Sequence, residues 1–226
     1  MDAFEVLWGE RSAPRRGPKP TLTVGDLARA GIELADAEGL GAVTMQRVAE
    51  ALGVTKMATY RYVPGKDELV ALMVDTAMGE PPQLKDIEGG WRPRLRTWTL
   101  AMYERMSAHP WALSATVGRR VTGPNELAWV EEALAALAGQ PMNGGQMMDV
   151  IVVLTGQIRS LAEQTAGTSE AEIAQGWAKV LATHADRFPH VAEALASAEQ
   201  HGTRDQGLEF GLDRILDGIE LYLGRR

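Results

Sequence analysis

The chain has 226 residues, of which 45% are hydrophobic and 23% charged, with a formal net charge of −7 and no cysteine. The length falls between one domain and two, the composition is that of an ordinary soluble globular protein, and the lack of cysteine excludes disulfides, thiolate metal sites and cysteine nucleophiles. No apolar run approaches the ~18 residues of a membrane span. Residues 1–8 carry Asp2 and Glu5 in place of a basic leader, so a cytoplasmic protein without a membrane partner is expected.

Charge is unevenly spread: residues 11–66 sum to +4 and the remainder to −11. A basic head on an acidic body suits phosphate contact at one end, and random scatter of surface charge is the other reading.

In chain order, residues 1–21 show mixed charge, three prolines (Pro14, Pro18, Pro20) and no periodicity, which predicts a flexible basic arm. Its Arg15, Arg16 and Lys19 suit either a DNA minor groove or a solvated tail. Thr23 is placed to cap a helix in which Val24, Leu27, Ala28, Ile32, Leu34 and Ala35 recur at three- and four-residue intervals before Gly39 ends it. Thr44 caps a second helix of barely two turns, with Met45, Val48, Ala49 and Leu52 on one face and Gly53 as its stop. After Val54, Thr55 caps a third short helix. Two short helices joined by a glycine-containing turn form the helix-turn-helix pattern. A fourth helix starts at Lys66, beyond Pro64-Gly65, and closes at Gly79-Glu80-Pro81-Pro82. Further helices are predicted near 91–108, 110–118, 124–139, 144–166, 169–186 and 204–224. The sequence has no strand alternation and no internal repeat, so the fold class is all-α.

The run from Gly53 to Leu69 (Gly-Val-Thr-Lys-Met-Ala-Thr-Tyr-Arg-Tyr-Val-Pro-Gly-Lys-Asp-Glu-Leu), preceded by Thr44-Met45 and Ala49–Leu52, resembles the DNA-binding head of the tetracycline-repressor family. Trp91–Trp98, Met102-Tyr103, His109–Trp111 and Glu209–Gly218 resemble the C-terminal body of that family's tetracycline-repressor branch. The resemblance covers most of residues 22–224 and is weakest over 165–203. It implies a three-helix helix-turn-helix head at 22–68 and a helical domain at 69–226 that binds an effector and dimerises. The expected function is a DNA-binding regulator, most often a repressor, that releases a palindromic operator when a small molecule binds.

Residue by residue, Thr44, Tyr60, Tyr62 and Lys66 are expected to contact phosphates: Thr44 at a helix start, the tyrosines through their hydroxyls, and Lys66 where the helix dipole disfavours an unpaired cation. Gln46, Lys56, Met57, Ala58 and Arg61 are placed to read base edges, Arg or Lys against guanine and Gln against adenine, with Met57 and Ala58 near a thymine methyl. Thr59 and Val63 replace the aliphatic residue and phenylalanine usual in the family, at positions expected to face the core.

A helix-turn-helix protein pairs its heads across half-sites about 34–36 Å apart, so a homodimer is expected. Gly207, Gly211 and Gly218, with Ile215 and Tyr222, are candidates for its interface, and close packing within one chain is the alternative. Trp98, Met102, His109, Trp111, Met147, Ile151, Leu154, Gln157 and Trp177, with Arg159 as a further polar handle, either line an effector pocket or are plain core. His109 is also readable as a structural corner. An enzyme is disfavoured: His109, His184, His190 and His201 lack metal-ligand spacing, and no phosphate loop or nucleophile elbow is present. No catalytic residue, metal or cofactor is therefore expected. The remaining alternative is a helical small-molecule-binding protein without DNA function, against which Thr44, Tyr60, Tyr62 and Lys66 argue.

Overall fold

The computed structural model describes residues 2–9, 22–117, 120–167, 170–201 and 207–225. Among these it contains twelve α-helices and no strand: α1 (Ala3–Trp8), α2 (Val24–Glu38), α3 (Met45–Ala51), α4 (Lys56–Thr59), α5 (Lys66–Met78), α6 (Trp91–Ala108), α7 (Pro110–Ala115), α8 (Pro124–Leu137), α9 (Gly144–Gly167), α10 (Glu170–His184), α11 (Pro189–His201) and α12 (Gly207–Gly224). No helix among the described residues is long and apolar enough to cross a membrane. The chain divides into two compact units, Met1–Ala138 and Gly139–Arg226.

In the first unit, α2 opens on a capping box. The Thr23 hydroxyl accepts from the Asp26 N–H at 3.1 Å, and the Asp26 carboxylate accepts from the Thr23 N–H at 2.8 Å. Hydrogen bonds from Thr23, with Arg29 beside it, hold Asp26 below the usual carboxylate range. Helix α2 packs along α5, which is buried on nearly every side through Leu69, Ala71, Leu72, Met73, Val74, Ala77 and Met78. Gly31 permits the close approach, since a Cβ there would lie 2.6 Å from the Met73 sulfur. One apolar cluster runs through Leu27 and Ala28 of α2, Met45 and Val48 of α3, Val63, Leu69 and Met73, and on into Trp111 and Ala112 of α7. Beside it, α6 and α8 pack through Trp98 and Trp129, whose rings meet edge to face at 6.0 Å.

Asp75 joins α5 to α8. It is 5% exposed, and one carboxylate oxygen accepts from the N–H groups of Asn125 and Glu126 at 2.8 and 3.1 Å. Helix α8 has no capping side chain of its own because Gly123 precedes it, and a Cβ on Gly123 would collide with the Asp75 carboxylate. A tertiary contact thus satisfies the first donors of α8. Burial raises Asp75 above the usual carboxylate range, partly offset by the two backbone donors. The folded state therefore holds this proton more tightly than the unfolded chain, and stability falls as pH rises from the usual carboxylate value through the raised one. Asp75→Asn is expected to retain an acceptor and abolish that slope in urea melts run across acidic pH. Asp75→Ala leaves the two donors unpaired and is expected to cost about 1–3 kcal/mol.

In the second unit, α9 and α12 pack antiparallel. The Gln146 amide donates to the Tyr222 hydroxyl at 2.5 Å near one end, and Gln157 meets Gly207 and Gly211 near the other. Helices α10 and α11 pack on each other through the turn at Ala185–Arg187.

Two expectations are corrected. Within the segment read as an arm, residues 3–8 form α1, with Asp2 and Glu5 as a reciprocal capping box and Leu7 buried; the helix packs on α5, and the Trp8 indole N–H donates to the Thr122 carbonyl at 2.9 Å. So short a helix exists by docking, which a local reading does not see. Helix α11 is an element the expected set lacks: it begins at Pro189, in the first position of a helix, where a proline loses no hydrogen bond.

Candidate nucleic-acid interface

The helix-turn-helix region is α3, the turn at Leu52–Thr55, and α4. Gly53 has φ +65°, a left-handed conformation, and the N–H groups of Gly53 and Val54 turn back onto the Glu50 and Ala49 carbonyls at 3.1 and 3.0 Å. That closes α3 and sends the chain sharply into α4. Thr44 and Thr55 cap the two helices, accepting from the N–H groups of Arg47 and Ala58 at 3.2 and 3.3 Å. Helix α4 contains only four residues, and the chain continues as a turn, with Tyr62 and Val63 N–H groups both bonded to the Thr59 carbonyl at 3.0 Å.

The split between inner and outer faces is sharp. Thr59 and Val63 are fully buried, and the Thr59 hydroxyl, which would be a burden in an apolar core, donates to the Lys56 carbonyl at 2.7 Å. Outward lie Lys56, Met57, Tyr60 and Arg61, with Ala58 and Tyr62 half-buried and Thr44, Gln46 and Lys66 exposed on the adjoining helices. Met57 is 73% exposed. A thioether this exposed contributes nothing to the core and is open to contact from outside. The Lys56 ammonium stands over the Tyr60 ring, 5.7 Å from its centre. Gln46 donates to Glu50 at 2.7 Å, so it must exchange that bond for any base it reads. Lys66 opens α5, followed by Asp67 and Glu68, with no capping side chain ahead of it.

Arg47 went unnoticed in the sequence. It forms two bonds to Glu38 at the end of α2, at 2.9 and 2.5 Å, which hold Glu38 below the usual carboxylate range and tie α3 to α2. Nothing local announces this pair, because its partners are nine residues apart. Arg15, Arg16 and Lys19 lie outside the described residues. Replacing Gly53 by alanine meets no neighbour, so the change isolates backbone strain. Gly53→Ala is expected to cost about 1–2 kcal/mol, seen as a lower urea midpoint at unchanged cooperativity.

The residues expected to line a pocket fall in both units. In the first, Trp98 is fully buried with its indole N–H on the Trp129 carbonyl at 2.8 Å, and Met102 is buried nearby. His109 and Trp111 both bond one Asp36 oxygen, at 2.9 and 2.6 Å, so they are structural ties to α2. In the second unit Ile151 and Leu154 are buried, Met147 and Gln157 half-buried, and Arg159 pairs with Glu163 at 3.5 Å. Trp177 is 54% exposed on α10. Of the glycines expected at a dimer face, Gly207 and Gly211 instead face α9 of the same chain: a Cβ would lie 3.4 Å from Leu161 and 2.4 Å from the Gln157 amide. Their missing side chains serve that packing. Gly218 faces open space, and with Ile215, Tyr222, Val150 and Val153 it lines a groove of about 470 Å³.

Residues 27–73 match the family of bacterial regulatory proteins described as the tetR family, and residues 82–223 match the tetracyclin repressor-like C-terminal domain. Over 99% of its length the chain is 35% identical to the HTH-type transcriptional repressor DrrR1 of Streptomyces coeruleorubidus, covering 86% of that protein. An HTH-type transcriptional regulator of Saccharopolyspora erythraea is 31% identical over 53% of this chain and 51% of its own. Among solved structures, apo ActR of Streptomyces coelicolor shares the fold with a TM-score of 0.76 at 22% identity, over 92% of this chain and 99% of that one. ActR in complex with actinorhodin does so at 0.74 and 23%, with the same coverage.

Proposed function

The chain belongs to the tetR family of bacterial regulatory proteins, and from that premise we propose that it is a homodimeric repressor that holds a palindromic operator and releases it when a small molecule binds the helices after the helix-turn-helix. One observation carries the reading: Thr59 and Val63 are sealed inside while Lys56, Met57, Tyr60 and Arg61 stand outside on the same short segment. Phosphate contacts fall to Thr44, Tyr60, Tyr62 and Lys66, and base contacts to Lys56, Arg61, Gln46, Met57 and Ala58. Repression is supported by the name of DrrR1, and control by a small molecule by the complex of ActR with actinorhodin. Ligand binding acts by favouring the head spacing that the operator does not fit.

The test is selection of duplexes from a random pool by the purified protein, then titration of the winner over a range of salt. A palindrome whose binding weakens steeply with salt supports the reading, and no enrichment at low salt overturns it. Lys66→Ala is expected to weaken binding to all duplexes and reduce the salt slope by about one, while Lys56→Ala relaxes preference at one base pair, by about 1–3 kcal/mol.

The dimer interface is assigned to the outer faces of α9 and α12. Val152, Val153, Phe210 and Leu221 are exposed on these two helices, and Val153 lines the groove with Gly218. Gly218→Glu places a carboxylate in that groove, and the added Cβ meets no atom of its own chain. The variant is expected to sediment as a monomer with unchanged helical content; a persistent dimer would move the interface elsewhere.

A further inference from the structure

Ten methionines carry all the sulfur of a chain without cysteine, so the sulfur that a peroxide meets is thioether sulfur alone. Among the described residues Met45 and Met73 are 5% and 0% exposed, and only Met57 and Met148 stand out in solvent, at 73% and 44%. Met148 lies on α9. Met57 is the second residue of α4, outward with Lys56 and Arg61, while Thr59 and Val63 hold the segment from beneath. The core takes nothing from the Met57 side chain, so a change in its chemistry leaves the fold intact. The most accessible described sulfur thus sits on the segment assigned to base contact.

Resting on the DNA-binding reading above, we propose that Met57 is a peroxide-sensitive modification site whose oxidation to the sulfoxide releases operator DNA. In that step a sulfur lone pair attacks one peroxide oxygen and the O–O bond breaks. The departing hydroxide takes the proton left on the transferred oxygen, so sulfur loses two electrons and water leaves. A flexible apolar side chain becomes a polar one that ends in an acceptor oxygen. Against a thymine methyl that oxygen is stripped of water without gaining a donor, and against guanine O6 or N7 it faces another acceptor. The change is reversible, because a methionine sulfoxide reductase removes the oxygen as water while a dithiol becomes a disulfide. A base pair that covers Met57 also keeps peroxide from it, so operator-bound protein is protected.

The experiment exposes the full-length protein to hydrogen peroxide, free and bound to its selected duplex, and reads sulfoxide at each methionine by peptide mass spectrometry. Met57 is expected to oxidise first, ahead of Met148, and markedly more slowly in the complex. Affinity of the oxidised protein is expected to fall about tenfold for each half-site held, the effect of one unsatisfied acceptor, with unchanged circular dichroism. Treatment with the reductase restores it. The affinity of Met57→Leu, whatever its level, is expected to be the same with and without peroxide, and if that variant binds no duplex the reductase arm carries the comparison. Earlier oxidation of a buried methionine, undiminished affinity with Met57 oxidised, affinity that stays low once the Met57 sulfoxide is reduced, or an equal loss in peroxide-treated Met57→Leu overturns the proposal. Failure of the untreated protein to select any duplex overturns the DNA-binding reading itself, and this proposal with it.

Discussion

Helix α5 has no side free for solvent along most of its length, and the arrangement of the first unit follows from that. Leu69 and Met73 close on α2, where Gly31 removes the side chain that would hold the two helices apart. Asp75 reaches the other way and supplies the cap that α8 lacks, while the Trp129 indole N–H bonds the Gly79 carbonyl just beyond the end of α5. A helix packed at crystal-like density on several faces does not bend to accommodate a neighbour, and it passes displacement along its length.

The segment that faces outward is by contrast small and locally weak. Four helical residues cannot sustain themselves in water, and α4 holds its shape because Thr59 and Val63 are buried beneath it and Gly53 fixes its entry. Burial and exposure are thus divided between neighbouring residues of one run. Substitutions at Lys56, Met57 or Arg61 alter the surface with little effect on folding, which is the condition under which a family diversifies its targets on one scaffold. The overall charge of −7 does not oppose this, because the acids lie mostly outside residues 11–66.

Glycines in α12 show how one residue type serves two purposes on one helix. Gly207 and Gly211 bring α12 against α9 of the same chain, and Gly218 leaves an open groove on its exposed side. Their spacing alone does not separate these roles, since residues four and seven apart fall near one helical face and the distinction rests on which neighbour occupies it.

By itself the sequence determined most of the helices and their order. Thr23, Thr44 and Thr55 cap the starts, Gly39, Gly53 and Gly79 end the runs between, and periodicity places 91–108 and 144–166 close to the observed α6 and α9, because these are local signals read within one or two turns. The inner and outer faces around α4 were legible for the same reason. Tertiary structure alone decided the docking of α1, the start of α11 at Pro189, the cap that Asp75 provides from fifty residues away, the Arg47–Glu38 pair and the hold of Trp111 and His109 on Asp36. Each depends on a partner distant in the chain or on burial of a surface whose cover is another helix, and neither leaves a mark in the spacing of nearby residues.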